Sequence, residues 1–306
     1  MHGIGKNATA TRCILAALAA LWVINLAWAA HAGLVVLDLG TLTATLLLLG
    51  ANLLLYRRVQ GGARAYDLAR SVAVFVALGT GFTLLSYLGL TLHMPLADRW
   101  LAAADQRMGF DWPSWYRFVR SHALFNAILL FAYRSLAVQM IVTLFALPMS
   151  GMTVRNREFL WATAFTLLAT VVISALLPAE SAWVWYHSDE QIAPGPWHDF
   201  LAMRDGRLPV LDLQQLRGLV TFPSFHVAMA VLLARAAHGT RCAWLSLVLN
   251  MLMIVSTPSE GGHYLVDAVA GIGVATVAIL AARQLAGTAS QSSADAPDAA
   301  PIVQAS

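Results

Sequence analysis

Charged residues are scarce in this sequence. They make up 11% of its 306 residues, less than half of the roughly 25% found in ordinary soluble domains. With 59% hydrophobic residues and a mean hydropathy of +0.67, this scarcity argues against a soluble globular protein, a disordered chain and a nucleic-acid-binding protein. The composition predicts an integral membrane protein.

Lysine and cysteine are almost missing as well. Lys6 is the single lysine, so the formal net charge of +3 comes almost wholly from arginine. Such a small excess favours membrane-flanking charges over a polyanion-binding site. Cys13 and Cys242 are too few for a disulfide framework. Both fall near the predicted cytoplasmic side, where free thiols are expected.

Long apolar runs dominate the chain. A helix needs about 20 predominantly apolar residues to cross the hydrocarbon core, and eight runs approach or exceed that length. They occupy residues 13–30, 33–55, 71–92, 123–148, 159–178, 220–238, 242–258 and 264–285. We therefore predict an all-α fold, a polytopic transmembrane helical bundle of about eight spans.

The positions of the arginines predict the orientation. The connection 56–70 carries four arginines, and basic residues concentrate in cytoplasmic loops. Alternation then places both termini in the cytoplasm and the two long loops, 93–122 and 179–219, on the non-cytoplasmic face. The small-residue pattern at 27–29, at the end of the first run, also fits a cleaved signal peptide. Cleavage would leave seven spans with the same orientation.

The runs also suggest three regions. Residues 1–70 contain two N-terminal transmembrane helices and a basic cytoplasmic loop, and residues 71–286 form the main membrane core. Residues 287–306, rich in Ala, Ser, Asp and Pro, are expected to be disordered.

The outer loops are expected to lie on the membrane surface. In the segment 96–111, apolar positions at helical spacing with charges between them predict an interfacial helix. These positions are Leu96, Trp100, Leu101 and Ala104. Other aromatic residues of the two loops predict an aromatic belt, with a lipid-binding cage as the alternative. They are Trp112, Trp115, Tyr116, Trp183, Trp185, Tyr186 and Trp197.

Polar residues at the ends of apolar runs are candidates for function, because hydrocarbon excludes them at high cost. The first such segment, Thr221 to His226, opens the sixth run. Thr221 is expected to cap this helix, and Pro223 to lie in its first turn. Ser224 and His226 would then lie beside free backbone N–H groups, where the helix dipole favours a phosphate.

The second segment, Gly261 to Asp267, opens the eighth run. The i,i+4 spacing of His263 and Asp267 puts both on one helix face, and such a carboxylate fixes the imidazole tautomer and raises the basicity of its other nitrogen. Gly261 and Gly262 allow a ligand to approach the backbone. The 37 residues from His226 to His263 suffice to cross a core of about 30 Å and nearly return, so the two segments are able to meet.

Other interpretations of these residues stay open. Each histidine alone also fits an interfacial polar residue. His226, His263 and Asp267 match a known metal-ligand set, although the sequence offers no denser cluster of ligands. Ser224 as a nucleophile lacks the nucleophile-elbow pattern.

Two segments resemble the signature motifs of a known family. PSFH at 223–226 and STPSEGGHYLVD at 256–267 look like the second and third motifs of the type 2 phosphatidic acid phosphatase superfamily. Longer forms at 218–226 and 261–271 are similar to its inositolphosphotransferase branch, which includes the inositol-phosphorylceramide synthases. The resemblance covers roughly 90–290 and implies a six-helix phosphatase-type core.

The resemblance implies a role for each polar residue. His263 would attack phosphorus and form a phosphohistidine, and Asp267 would hold its imidazole. His226 would protonate the leaving oxygen, and Ser224 would bind a phosphoryl oxygen. No metal and no cofactor are implied.

The chain departs from the family in its phosphate-binding cations. It lacks the Arg-Pro pair of the family's first motif. In the third motif, Thr257 occupies the position of the usual arginine. Without these clamps, a phosphodiester donor is favoured over the more highly charged phosphomonoester. The candidate replacements are Arg134, Arg204, Arg207 and Arg217. Arg134, inside the fourth run, is expected to face the bundle interior, contacting a headgroup, pairing with Asp38 or holding helices together.

These features together predict a lipid-modifying membrane enzyme. It would transfer a phosphoryl or phospho-head group on lipid phosphates through a histidine nucleophile, without a metal, to an alcohol or to water. We expect it in a bacterial inner membrane, judging the source from the Ala-, Leu- and Arg-rich usage. The hydrolytic alternative is a lipid phosphate phosphatase. A non-catalytic lipid binder or transporter would use the same polar residues to line a pathway.

Overall fold

The computed structural model describes residues 2–58, 62–186 and 195–294. These residues form thirteen helices and two three-residue strands, which confirms the all-α class. The helices are α1 (His2–His31), α2 (Leu39–Arg58), α3 (Ala63–Leu90), α4 (Asp98–Arg107), α5 (Trp112–Ser121), α6 (Ala123–Arg134), α7 (Leu136–Met149), α8 (Thr153–Leu176), α9 (Ala182–Trp185), α10 (Gly195–Arg204), α11 (Phe225–Ala237), α12 (Ala243–Glu260) and α13 (Leu265–Ala294). The strands are β1 (Val35–Leu37) and β2 (Val210–Asp212).

Five helices among the described residues are long and apolar enough to cross a membrane: α1, α2, α3, α8 and α13. The fourth predicted span is broken into α6 and α7, which are bent by 42° relative to each other and make a sixth span if they act as one. The break lies at Ser135, whose hydroxyl donates to the carbonyl of Ala132. Side-chain groups that bond within the helix ladder are a known cause of bends.

The helices in the sixth and seventh predicted spans are not both long and apolar enough to cross a membrane. α11 has 13 residues, about 20 Å of helix, whereas the hydrocarbon core is about 30 Å thick. α12 has 18 residues, but its last turn contains Pro258, Ser259 and Glu260. Among the described residues, length and composition therefore support five or six of the about eight predicted spans.

The second predicted span begins later than expected. α1 ends at His31, and Gly33 takes a left-handed backbone with φ +70°, which glycine adopts readily. The chain then forms β1, which pairs in parallel with β2 and places Val35 opposite Val210. This pairing ties the connection 179–219 to the N-terminal helices.

The last helix is longer than expected. α13 continues to Ala294 and so enters the segment 287–306, for which the composition predicts disorder. A helix that is already formed gains one hydrogen bond for each residue it adds, so extension is easier than nucleation. Residues 295–306 lie outside the described residues.

The packed core joins α7, α8, α11, α12 and α13 around residues such as Met229 and Met253, which are fully buried. α11 and α13 start at the same end of the bundle, because the backbone N–H of Ser224 donates to the carbonyl of Asp267 at 3.1 Å. The two polar segments singled out in the sequence therefore meet.

Candidate active site

Ser224, His263 and Asp267 form a hydrogen-bonded series. Oγ of Ser224 lies 3.2 Å from Nε2 of His263, and Nδ1 of His263 lies 3.2 Å from Oδ2 of Asp267. All three residues are buried. The carboxylate favours a proton on Nδ1, which leaves the lone pair of His263 on Nε2. This is the tautomer that a histidine nucleophile or base needs.

The start of α11 differs from the prediction. Ser224, not Thr221, is the N-cap, and its Oγ accepts from the backbone N–H of Val227 at 3.4 Å. Serine is a preferred N-cap residue, because its short side chain reaches back to the first turn. Pro223 consequently precedes the helix. The positive end of the α11 dipole lies at Ser224, where it favours an anion.

His263 lies in the turn between α12 and α13, and Asp267 lies in the first turn of α13. Oδ2 of Asp267 also accepts from the backbone N–H of Tyr264 at 2.9 Å. The predicted i,i+4 pair therefore forms across the helix start, and the carboxylate holds both the imidazole and the adjacent backbone.

The two glycines before His263 admit protein side chains. Gly262 has φ +64°, and a Cβ built there would lie 2.7 Å from the ring of Trp183. A Cβ at Gly261 would lie 2.9 Å from the ring of Tyr133 and 2.7 Å from that of His263. The close approach predicted for a ligand is thus made by aromatic rings of the protein.

His226 faces His263 across the site. The centroids of the two rings are 6.5 Å apart. The ring of Tyr133 stacks on His226 at 4.2 Å with the planes 9° apart, which fixes the plane of that imidazole. The separation of the two imidazoles permits one tetrahedral phosphoryl group to lie between them.

Two buried carboxylates on α4, not identified from the sequence, hold the start of α13. Asp105 accepts from the backbone N–H groups of Leu265 and Val266, each at 2.9 Å. Asp98 accepts from the hydroxyl of Tyr264 at 2.9 Å. Burial raises the pKa of Asp105, and the two backbone donors oppose the rise because they stabilise its charged form.

The helix predicted within 96–111 is α4. Of the predicted apolar positions, Trp100 is 72% exposed and Leu101 is buried. The buried residues of α4 are Asp98, Leu101, Ala102 and Asp105. The seven-residue spacing of the two aspartates, which places them on one helix face, is the sequence signal for this arrangement.

Trp112 belongs to the site, so its assignment to an aromatic belt is wrong. It is fully buried and stacks on Tyr116 and Tyr186, at 5.1 and 5.5 Å between ring centroids. Its Nε1 donates to the backbone carbonyl of His263 at 3.0 Å. A buried indole N–H needs an acceptor, and this bond fixes the backbone of His263.

The guanidinium groups of two of the four candidate cations, Arg204 and Arg207, have other partners. Arg204 donates to the carbonyl of Met94 at 3.0 Å, and Arg207 pairs with Asp205 at 2.6 Å on the surface. The backbone N–H of Arg217 donates to the hydroxyl of Tyr87. Within the described part of the chain, none of these three arginines has a recorded contact with the four predicted site residues.

Arg134 lies at the end of α6 and is exposed, so the prediction that it faces the bundle interior is wrong. It interacts electrostatically with Glu260, whereas Asp38 binds the side chain of Gln214, so the predicted pairing of Arg134 with Asp38 is wrong. Arg120, which no sequence motif marks, also approaches the site, with Nη1 3.5 Å from Oε1 of Glu260.

A metal site at His226, His263 and Asp267 finds no support. Among residues 2–58, 62–186 and 195–294, no three His, Cys, Asp or Glu side chains form a group able to hold a metal ion. Oδ2 of Asp267 is engaged with the imidazole and the backbone N–H described above.

Comparison with known proteins identifies the family. No curated protein and no solved structure matches the chain. A family model for the PAP2 superfamily matches residues 99–281, which is more than half of the 306 residues and runs from α4 into α13. Members are generally phosphatases and phosphotransferases, so the match supports a membrane enzyme of the lipid phosphatase or phosphotransferase type. The chain belongs to the PAP2 superfamily.

Proposed function

We propose that the protein transfers a phosphoryl or phospho-head group from a lipid phosphate through a covalent phosphohistidine at His263. The observation that carries this proposal is the series of Ser224, His263 and Asp267, with the ring of His226 6.5 Å from that of His263. A nitrogen nucleophile held by a carboxylate, with a second histidine opposite, supplies both groups needed for displacement at phosphorus.

In the first step, Nε2 of His263 attacks phosphorus, and the P–O bond to the lipid leaving group breaks. Asp267 keeps the proton on Nδ1 and stabilises the positive charge that develops on the imidazole. Burial lowers the pKa of His226, and the bound phosphate anion opposes this effect, so His226 takes up a proton as the substrate binds. It then gives this proton to the leaving oxygen and becomes neutral. Nε2 no longer accepts from Ser224, so that hydroxyl donates to a phosphoryl oxygen beside the positive end of α11.

In the second step, the oxygen of an alcohol or of water attacks the phosphohistidine. Neutral His226 takes the proton of the acceptor, the P–N bond breaks, and free His263 is restored. An alcohol acceptor makes the protein a transferase, and water makes it a phosphatase. We favour transfer, of the inositolphosphotransferase type, because the segments 218–226 and 261–271 resemble that branch.

The missing arginine of the third motif bears on the substrate. Thr257 stands in its place, is buried and donates its hydroxyl to the carbonyl of Ile254 at 2.8 Å. A guanidinium clamp on the phosphate is therefore replaced by a side chain engaged elsewhere. This supports a phosphodiester donor, which carries less charge than a phosphomonoester.

The proposed orientation puts the site on the non-cytoplasmic face of a bacterial inner membrane, with both termini in the cytoplasm. Its support is the group of four arginines in the connection 56–70, since basic loops stay on the cytoplasmic side. We assign no metal or cofactor to the reaction.

The proposal is tested with detergent-purified full-length protein in EDTA. Dioleoyl phosphatidic acid and dioleoyl phosphatidylinositol are offered with and without a lipid alcohol, and released and transferred products are measured. His263→Ala is expected to lower turnover by at least about 10³-fold, whereas the control His198→Ala, at an exposed position of α10, is expected to stay within about twofold.

Each outcome separates the candidate functions. Loss of turnover in folded His263→Ala supports the histidine mechanism. If wild-type turnover also depends on the added alcohol, the protein is a transferase; if it does not, the protein is a phosphatase. Turnover that requires a metal and survives His263→Ala contradicts the proposal. Folded wild-type protein that turns over no lipid favours the binder or transporter.

A further inference from the structure

At the edge of the candidate site, a buried carboxylate pairs with one arginine and interacts electrostatically with a second. The side chain of Glu260, at the end of α12, is 3% exposed. Nη1 of Arg120, on α5, lies 3.5 Å from Oε1 of Glu260, and Arg134, at the end of α6, interacts with Glu260 electrostatically. Two guanidinium groups and one carboxylate give this cluster a formal net charge of +1.

The cluster is adjacent to His263. Glu260 directly precedes Gly261, where an added Cβ would lie 2.7 Å from the ring of His263 and 2.9 Å from that of Tyr133. Nη2 of Arg120 donates to the carbonyl of Ser259 at 3.4 Å, in the same turn of chain. An anion that approaches Nε2 of His263 therefore comes within the field of this cluster.

The cluster has unused hydrogen-bonding capacity. Oε1 of Glu260 is buried and has no hydrogen-bond partner, and neither has the buried Nε of Arg120. Their ion pair at 3.5 Å is longer than the roughly 2.7–2.9 Å of a charge-assisted hydrogen bond. Nη1 and Nη2 of Arg120 donate to Oδ1 of Asn126 and to the carbonyl of Ser259, so the arginines attract an incoming phosphate through their charge, while the carboxylate repels it.

We propose, building on the phosphotransfer function above, that Glu260 sets the charge selectivity of the phosphate site. Its carboxylate cancels one of the two guanidinium charges, so the net +1 matches the single charge of a phosphodiester. A phosphomonoester carries close to two negative charges at pH 8, and its second charge meets the repulsion of Glu260 without a second uncompensated cation.

The test compares two lipids that release the same product. In dioleoyl phosphatidic acid and dioleoyl phosphatidylinositol, attack at phosphorus breaks the bond to diacylglycerol, so kcat/KM for diacylglycerol release at pH 8 is measured for both. Glu260→Gln is expected to raise the ratio of kcat/KM for the monoester to kcat/KM for the diester by about tenfold or more. Arg120→Gln is expected to lower the same ratio by about tenfold.

Asp111→Asn is the matched control, because it removes one exposed negative charge near the start of α5; its ratio is expected to stay within about twofold of the wild type. If one lipid is not turned over, its inhibition constant against the other replaces its kcat/KM. The opposite shifts of the two variants allow either one to test the proposal if the other fails to fold.

A merely structural ion pair would lower activity on both lipids equally and leave the ratio unchanged. Unchanged ratios in active, folded Glu260→Gln and Arg120→Gln protein therefore overturn the charge selectivity and leave the phosphotransfer function standing. Absence of turnover in the wild type, by contrast, counts against the phosphotransfer function.

Discussion

Oγ of Ser224 lies 3.2 Å from Nε2 of His263, although 39 positions separate the two residues in the chain. Nε2 has one lone pair, so it cannot accept this hydrogen bond and bind phosphorus at the same time. The same hydroxyl is therefore released when His263 attacks, and it becomes available to the phosphoryl oxygens.

Replacing Ser224 by alanine is expected to lower kcat by about 10²-fold, because one donor to the transferring group is lost. Loss of the N-cap is expected to cost about 1 kcal/mol of stability as well. Thr221→Ala is the control, since Thr221 does not cap α11. Steady-state kinetics and thermal unfolding in detergent measure both effects. Equal kcat and equal melting temperature of the two variants would contradict the roles of Ser224 as phosphoryl donor and N-cap.

Asp267→Asn is expected to lower kcat by about 10³- to 10⁴-fold with little change in folding. An amide neither holds the proton on Nδ1 reliably nor stabilises a positive imidazole. Turnover at saturating substrate, with size-exclusion chromatography to check the fold, measures this. A loss below about tenfold would argue against a charged partner for His263.

Gly271 controls how closely α11 approaches α13. A Cβ at Gly271 would lie 2.6 Å from the carbonyl oxygen of Ser224, whereas a Cβ at Gly273 would meet nothing within 4 Å. Gly271→Ala is expected to destabilise the protein by about 1–3 kcal/mol and to lower kcat by moving Ser224. Gly273→Ala is expected to be neutral or to stabilise by up to about 1 kcal/mol. Thermal unfolding of the two variants measures this difference. Similar melting temperatures would contradict close packing of α11 against α13 at Gly271.

Asp105→Ala would leave the backbone N–H groups of Leu265 and Val266 without their acceptor. Each buried, unpaired donor costs about 1–3 kcal/mol, so a lower melting temperature and a lower kcat are expected. The control Asp111→Ala changes an exposed aspartate whose side chain caps no helix and is expected to stay within about 0.5 kcal/mol of the wild type. A melting temperature of Asp105→Ala equal to that of the control would exclude the capping role.

The sequence predicts those parts of this protein that rest on local patterns. Apolar runs of about 20 residues indicate membrane helices, and the spacing of His263 and Asp267 indicates their pairing. Helix length permits the segments at Ser224 and His263 to meet, since the intervening chain is long enough to return.

Features that depend on packing between distant segments escape such reasoning. Asp105 accepts from the N–H of Leu265 across 160 positions, and Arg120 reaches Ser259 across 139. Such contacts depend on how α4 and α5 pack against the bundle, which no periodicity encodes. The N-cap of α11 is also mispredicted from local sequence. Thr221 and Ser224 can both cap a helix, and only the path of the backbone determines which of them does so.

The central claim is a covalent phosphohistidine at His263, and the most direct test is to trap it. Protein mixed with phosphorus-radiolabelled lipid is quenched, tested for acid and alkali stability, and digested after arginine. Cleavage separates the peptide 218–235, with Ser224 and His226, from the peptide 242–283, with His263. We predict an acid-labile, alkali-stable label on 242–283 that His263→Ala abolishes. An acid-stable, alkali-labile label on 218–235 that persists in His263→Ala would contradict the claim and identify Ser224 as the nucleophile.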